Sequence, residues 1–199
     1  MMNSRAKNII VPDGSEQIVY QGRNFEIVES TVKIGERTRV FENARRTPGV
    51  RLIVLSDDKQ KILLSREHRH QLGEWDFRLP GGKVFDSLEQ FNQALTSGKN
   101  IGPIIEQAAI TEAREEVGID VQILSLYVST KCGGMIEWDL HYFVVEKFGL
   151  LESAELGEGE NIEPIWVSLK QAKELALSGE MKEDRSVAVL LRYIHSINQ

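Results

Sequence analysis

The stretch from Pro103 to Gly118 does most to constrain the fold of this chain. Pro103 suits the first turn of a helix, where a missing N–H costs nothing, and Gly118 suits the left-handed residue that commonly ends one. At 100° per residue, Glu112, Glu115 and Glu116 fall within an arc of about 100°, whereas Ile110, Ala113 and Val117 occupy a separate arc. One face of this helix packs and the other gathers carboxylates. Like charges at such spacing repel by a few tenths of a kcal/mol per pair, and a helix C-terminus disfavours anions further. Two things can offset that repulsion. One is solvation of an exposed acidic face. The other is a hard cation, Mg²⁺ or Mn²⁺, which takes carboxylate oxygens and leaves positions for water and phosphate.

Strand and turn signals fill in the chain on either side. Short runs at 17–20, 25–28 and 38–41, separated by Gly22 and Gly35, read as a small antiparallel β accessory over residues 1–47. Pro48-Gly49 opens a main domain over 48–199, with a hairpin of strands 50–55 and 61–65 joined by Ser56-Asp57-Asp58-Lys59. Beyond Leu79-Pro80-Gly81-Gly82, the spacing of Ser87 and Gln90 predicts a capped helix to about Thr96, inside an insertion of about 86–102. Strands are expected at 121–130 and 137–145, then a mobile acidic loop at 148–161 and a strand at 164–167. A helix from Ser168 to about Leu177 and an amphipathic helix from Asp184 to Ile197 complete the reading.

Composition removes several classes of function. With 199 residues, 41% hydrophobic and 27% charged, the chain has the make-up of a globular domain plus a small accessory. A formal charge of −6 argues against non-specific binding to nucleic acid, so no nucleic-acid partner is expected. The longest apolar runs fall far short of the roughly 18 residues of a membrane span. Residues 1–11 lack the apolar stretch of a secretory signal, and Cys132 is the single cysteine, so a reducing, cytoplasmic setting is expected. His68 and His70 share one strand face without a third zinc ligand at a supporting spacing. Cys132 lacks an activating partner, and Gly81-Gly82-Lys83 lacks the spacing of a P-loop. Trp75, Trp138 and Trp166 are better suited to packing than to stacking on a base.

The segment Thr111-Glu112-Ala113-Arg114-Glu115-Glu116-Val117-Gly118-Ile119, with Leu79-Pro80-Gly81-Gly82-Lys83 before it, resembles the signature of the Nudix hydrolases. Every fixed position of the signature helix matches except the leading Arg, which here is Thr111. In the family the second Gly usually stands 15 residues before the first helix glutamate, whereas Gly82 and Glu112 are 30 apart. The early signature Glu has no counterpart, and the inserted helix is expected to supply the support that this Glu and the leading Arg normally give. Arg45-Arg46-Thr47-Pro48-Gly49-Val50 and Leu64-Ser65-Arg66-Glu67-His68-Arg69 are similar to the ADP-ribose and nucleotide-sugar pyrophosphatase branch.

The resemblance implies an α+β fold, a Nudix α/β/α sandwich with a mixed sheet, preceded by antiparallel strands that contribute to a homodimer. It implies that Glu112, Glu115, Glu116 and the Gly81 carbonyl bind Mg²⁺ (or Mn²⁺), and that Glu115 or a loop glutamate, Glu158 or Glu160, takes the proton from water. Arg46, Arg69 and Glu137 are the implied substrate contacts, and Arg78 stands where the branch often has Glu. The implied reaction splits a nucleoside diphosphate joined to another group, such as ADP-ribose or a nucleotide sugar. Two alternatives stay open: a catalytically silent sensor of such a nucleotide, and hydrolysis of dinucleoside polyphosphates or capped RNA.

Overall fold

Turns at Gly22 and at Gly35, whose φ is 63°, fold the N-terminal segment into a meander. In the computed structural model, which describes residues 10–70, 73–151 and 161–197, the strands β1 (Ile10–Gln21), β2 (Glu26–Ile34) and β3 (Arg37–Arg45) pair antiparallel. A two-residue strand, Ile136–Glu137, adds to β3 in parallel. These strands run well past the apolar cores that mark them in the sequence, because backbone pairing continues through their polar ends. Glu26 is fully buried in β2; it accepts hydrogen bonds from Arg45 Nε at 2.8 Å and from Asn92 Nδ2 at 2.9 Å. Asn92 lies on the inserted helix α1 (Leu88–Thr96), which buries Leu88 and Phe91. The Phe91 ring lies 5.4 Å from that of Phe85. Ser87 caps this helix through the Gln90 N–H, while the Gln90 side chain accepts from Asp86 N, one residue before the cap. Met1–Thr47, of which 10–47 are described, form one compact unit together with Phe85–Ser97 and Lys131–Trp138.

The second unit comprises Pro48–Val84, Gly98–Thr130 and Asp139–Gln199. Its strand β4 (Gly49–Val54) is buried along its whole length, as expected for a nearly continuous apolar run. This strand and the next do not form the expected hairpin. β4 and β5 (Lys61–Arg69) share only the bridge Leu55 to Ile62 and then part into different sheets. Each strand finds a better partner: β4 runs parallel to Leu140–Leu150, while β5 lies between Glu74–Arg78 and Ile162–Ser168.

In chain order the remaining strands are β6 (Glu74–Arg78), β7 (Ile119–Thr130), β8 (the Ile136–Glu137 strand), β9 (Leu140–Leu150) and β10 (Ile162–Ser168). β7 pairs antiparallel with β9, so the β4–β9–β7 sheet is mixed, as expected. The expected strand 137–145 is divided at Trp138-Asp139, and Phe148–Leu150, expected in the acidic loop, pair instead with Ile119–Val121. β6 is not anticipated: it is only five residues long, and the side chain it buries is Asp76, on the face opposite Trp75 and Phe77.

Helix α2 (Gly102–Val117) buries Ile105, Ala109, Ala113 and Val117, a stripe at four-residue spacing. Gly118, at φ 64°, closes it by donating to the Arg114 carbonyl. α3 (Leu169–Ser178) carries a complete capping box between Ser168 and Gln171, and α4 (Asp184–Ile197) buries Val189, Leu190, Tyr193 and Ile194.

Candidate active site

The Gly-rich loop takes its shape from β4. Leu52 N–H donates to the Pro80 carbonyl at 2.8 Å, Val50 N–H to that of Gly82 at 3.0 Å, and Val84 N–H to that of Pro48 at 3.0 Å. The loop therefore lies along a core strand as though it were another strand. Gly81, at φ 136°, is required by geometry, since a Cβ there would stand 2.3 Å from the Val50 carbonyl oxygen.

Helix α2 brings its carboxylates to this loop. Glu116 accepts the Gly81 N–H at 2.7 Å, and the Glu112 carboxylate lies so close to Gly82 that a Cβ would meet its Oε1 at 2.1 Å. As a residue Glu116 keeps partial exposure, yet its carboxyl group is ringed by protein. Burial, with the nearby Glu112 charge adding to it, pushes that group up to about 8, against the Gly81 hydrogen bond and Arg51, which favour the ionised form. Glu115 lies exposed on the same side of the helix. Among the described residues no three His, Cys, Asp or Glu side chains are grouped closely enough to hold an ion unaided. The remaining ligands would be the Gly81 carbonyl, water and substrate phosphate. The donor set fits a hard divalent cation: it is all oxygen, and a bound cation would offset the burial and the Glu112 charge that disfavour ionisation of the Glu116 carboxyl.

An ionic network on β5 and β6 belongs to the same unit. Arg69 Nη1 donates to Glu67 Oε1 at 2.6 Å, and Arg78 reaches Glu67 Oε2 at 3.3 Å and Asp76 at 3.5 Å. Asp76, raised above the ordinary carboxylate range by burial, accepts the Lys182 N–H at 2.9 Å. The Glu67 charge also acts on Glu116. Glu67 thus belongs to the site; in the sequence its only signal is the period of two that puts Ser65, Glu67 and Arg69 on one face of β5. On the neighbouring positions, the His68 and His70 rings lie 5.5 Å apart and Arg66 stacks over Trp75 at 4.3 Å.

Arg51 is a second site residue that the sequence motifs do not include. It is 5% exposed, and its Nη1 donates to the Val50 carbonyl at 2.8 Å and the Gly81 carbonyl at 3.0 Å. A lone charge inside the apolar run 50–55 should have marked it, since buried charge demands partners. The Gly81 carbonyl, one of the expected ion ligands, is therefore already an acceptor with one lone pair left.

The other expected contacts lie in the first unit. Arg46 stacks over Trp138 at 4.2 Å, which gives that tryptophan a cation as neighbour. Arg46 N–H donates to the Glu137 carbonyl at 3.1 Å, and the Glu137 carboxylate accepts from Asn43 at 3.0 Å. Arg46 and Glu137 are thus gathered at the end of β3. Glu158 and Glu160 lie outside the described residues. Thr111 is exposed, with Gln107 Nε2 3.5 Å from its hydroxyl, and the hydrogen bond that ties the inserted helix runs to Glu26.

Comparison with known proteins gives this geometry a family. A GDP-mannose pyrophosphatase from Citrobacter koseri is 28% identical over 154 residues, 76% of this chain and 75% of its own length. A protein from Streptomyces rubellomurinus named CMP-5'-(N-acetyl-N-hydroxy-3-aminopropyl)phosphonate hydrolase is 27% identical over 166 residues, 82% of this chain and 72% of its own. Among solved structures, one described as an ADP compounds hydrolase matches 98% of this chain and 97% of its own, with a TM-score of 0.72 at 18% identity, a likeness of fold. The NUDIX domain model covers residues 45–189, from the last residue of β3 into α4 and across the whole Gly-rich loop and carboxylate helix, so the chain belongs to the Nudix family of hydrolases.

Proposed function

We propose that this protein is a divalent-metal-dependent pyrophosphohydrolase acting on a nucleoside diphosphate joined to another moiety, a nucleotide sugar or ADP-ribose. The products would be a nucleoside monophosphate and a sugar phosphate. The observation that carries the reading is the pinning of Glu112 and Glu116 against Gly82 and Gly81, two oxygen donors held beside a backbone carbonyl. The relatives' printed substrates, GDP-mannose and a CMP-linked phosphonate, support a nucleotide joined to another moiety and leave the base open.

Glu112, Glu115, Glu116 and the Gly81 carbonyl would hold Mg²⁺ or Mn²⁺. Such ions lower the pKa of bound water and neutralise charge on the phosphates. Among the chain's own groups, Glu115, Glu158 or Glu160 would accept the proton from the attacking water. Arg69, displaced from Glu67, would grip a phosphate through its planar fork. Arg46 and Glu137 would be substrate contacts, as the resemblance to the pyrophosphatase branch implies. The exposed apolar side chains of the first unit, among them Ile18, Tyr20, Val40 and Met135, suit a homodimer formed through its strands. No helix among the described residues is long and apolar enough to cross a membrane; the cytoplasmic setting is proposed on the sequence, from its single cysteine. A silent sensor remains the second reading, favoured by the loss of the signature Arg at Thr111.

The test is product release from GDP-mannose, ADP-ribose, UDP-glucose, a CMP conjugate and a dinucleoside polyphosphate, with and without Mg²⁺, for the wild type and Glu116→Gln. Mg²⁺-dependent cleavage of a nucleotide sugar or ADP-ribose that the variant lacks is the expected result. Tight binding without turnover of any compound would replace the enzyme with the sensor.

A further inference from the structure

Thr111 cannot make the contact of the signature Arg, yet the Gly81–Gly82 loop is held. Glu116 takes the N–H of Gly81 at 2.7 Å and Arg51 takes its carbonyl at 3.0 Å, so both polar atoms of one glycine are pinned, one by a carboxyl group and the other by a guanidinium. This matters because Gly81 sits at φ 136°, where only glycine is at ease and the peptide planes on either side could otherwise swing. The guanidinium is itself fixed. Its Nη1 also holds the Val50 carbonyl at 2.8 Å, and its Nε lies 3.8 Å from Glu183 just before α4. Glu183 in turn accepts from the Ser186 hydroxyl and lies 3.4 Å from Arg185, which keeps its carboxylate turned inward.

We propose that Arg51, braced by Glu183, is the positioning residue that sets the Gly81 carbonyl and the neighbouring carboxylates for ion binding, in place of the missing loop-to-helix pair. The inference rests on the reading of Glu112 and Glu116 as ion ligands. Arg51 touches neither the ion nor the substrate. It directs the free lone pair of the Gly81 carbonyl. Such supporting groups typically change metal affinity 10- to 100-fold.

The test uses the full chain with Arg51→Met, Arg51→Lys and Glu183→Gln. Calorimetric titration with Mg²⁺ and amide exchange of segment 79–84 without metal are the readouts, alongside kcat and KM. Arg51→Met should weaken Mg²⁺ binding by at least about 10-fold and accelerate exchange in 79–84. kcat should fall while KM for the nucleotide stays within about two-fold, since uniform substrate binding is untouched. Arg51→Lys, which keeps the charge and one donor direction, should recover part of the affinity. Glu183→Gln should act in the same direction more weakly, and it decides the matter if Arg51→Met does not fold. A folded variant with wild-type Mg²⁺ affinity and wild-type exchange overturns the proposal alone. A wild type that binds no Mg²⁺ overturns the metal reading, and the positioning role falls with it.

Discussion

Glu116→Gln should stabilise the metal-free protein, and by an amount that depends on pH. An unfolded glutamate ionises near 4.5, whereas Glu116 in the fold is pushed up to about 8, chiefly by burial. Below pH 4.5 both states carry the proton and the glutamate costs nothing. Between 4.5 and 8 the unfolded chain has released its proton while the native state still binds it, so wild-type stability declines as pH rises and levels off above 8. At 1.36 kcal/mol per pH unit, the gap from 4.5 to about 8 amounts to about 5 kcal/mol. Glutamine cannot titrate, and its amide oxygen can still accept the Gly81 N–H. Urea unfolding in EDTA, followed by tryptophan fluorescence between pH 4.5 and 8.5, should give curves that nearly coincide at the acid end. They should separate by several kcal/mol at pH 8.5 with the variant the more stable. Adding Mg²⁺ at pH 8.5 should stabilise the wild type only and narrow or reverse the ranking. A difference that is constant with pH, or a variant less stable throughout, would refute the assignment of a strained, ion-ready carboxyl.

Other consequences can be measured directly. Gly82→Ala places a methyl 2.1 Å from Glu112 Oε1, the far end of a flexible side chain; Mg²⁺ affinity should fall at least about 10-fold while unfolding free energy changes by less than about 1 kcal/mol. Gly81→Ala instead strikes the Val50 backbone at 2.3 Å from a φ of 136°, and urea unfolding should show a loss of about 2 kcal/mol or more. Glu26→Ala leaves Arg45 and Asn92 without their fully buried acceptor and should cost about 3 kcal/mol by the same measurement. Arg69→Ala should lower kcat/KM for a diphosphate substrate by about tenfold with stability nearly unchanged, because its pair with Glu67 is partly exposed.

The carboxylate helix was legible because its ends and both faces are set by local chemistry: Pro103 within its first turn, the Gly118 cap, the buried stripe and the glutamates. The Gly-rich loop was legible as a motif, but what shapes it was not. Its hydrogen bonds run to β4, some 30 residues earlier in the chain, and no local pattern announces such pairing. The same limit explains the expected β4–β5 hairpin. The turn at Ser56–Lys59 is real, with Lys59 at φ 56°, yet turn chemistry cannot say that each arm has a stronger partner elsewhere. Glu67 and Arg51 escaped notice for a related reason. Each looks like an ordinary charged residue of a strand until the fold supplies the opposite charges around it.

Because the loop is laid on β4 rather than stretched between its neighbours in sequence, its geometry is independent of how far the chain travels before reaching α2. Val84 is the last residue tied to the strand, through the Pro48 carbonyl, and beyond it the chain can wander before returning at Gly102. Doubling such a connection costs only about 0.6 kcal/mol in closure entropy. The gap between Val84 and α2 is therefore a port in the architecture. Helix α1 occupies that opening while Glu112 still lies against Gly82, and a different segment could be exchanged into the same opening while the carboxylates stayed where they are.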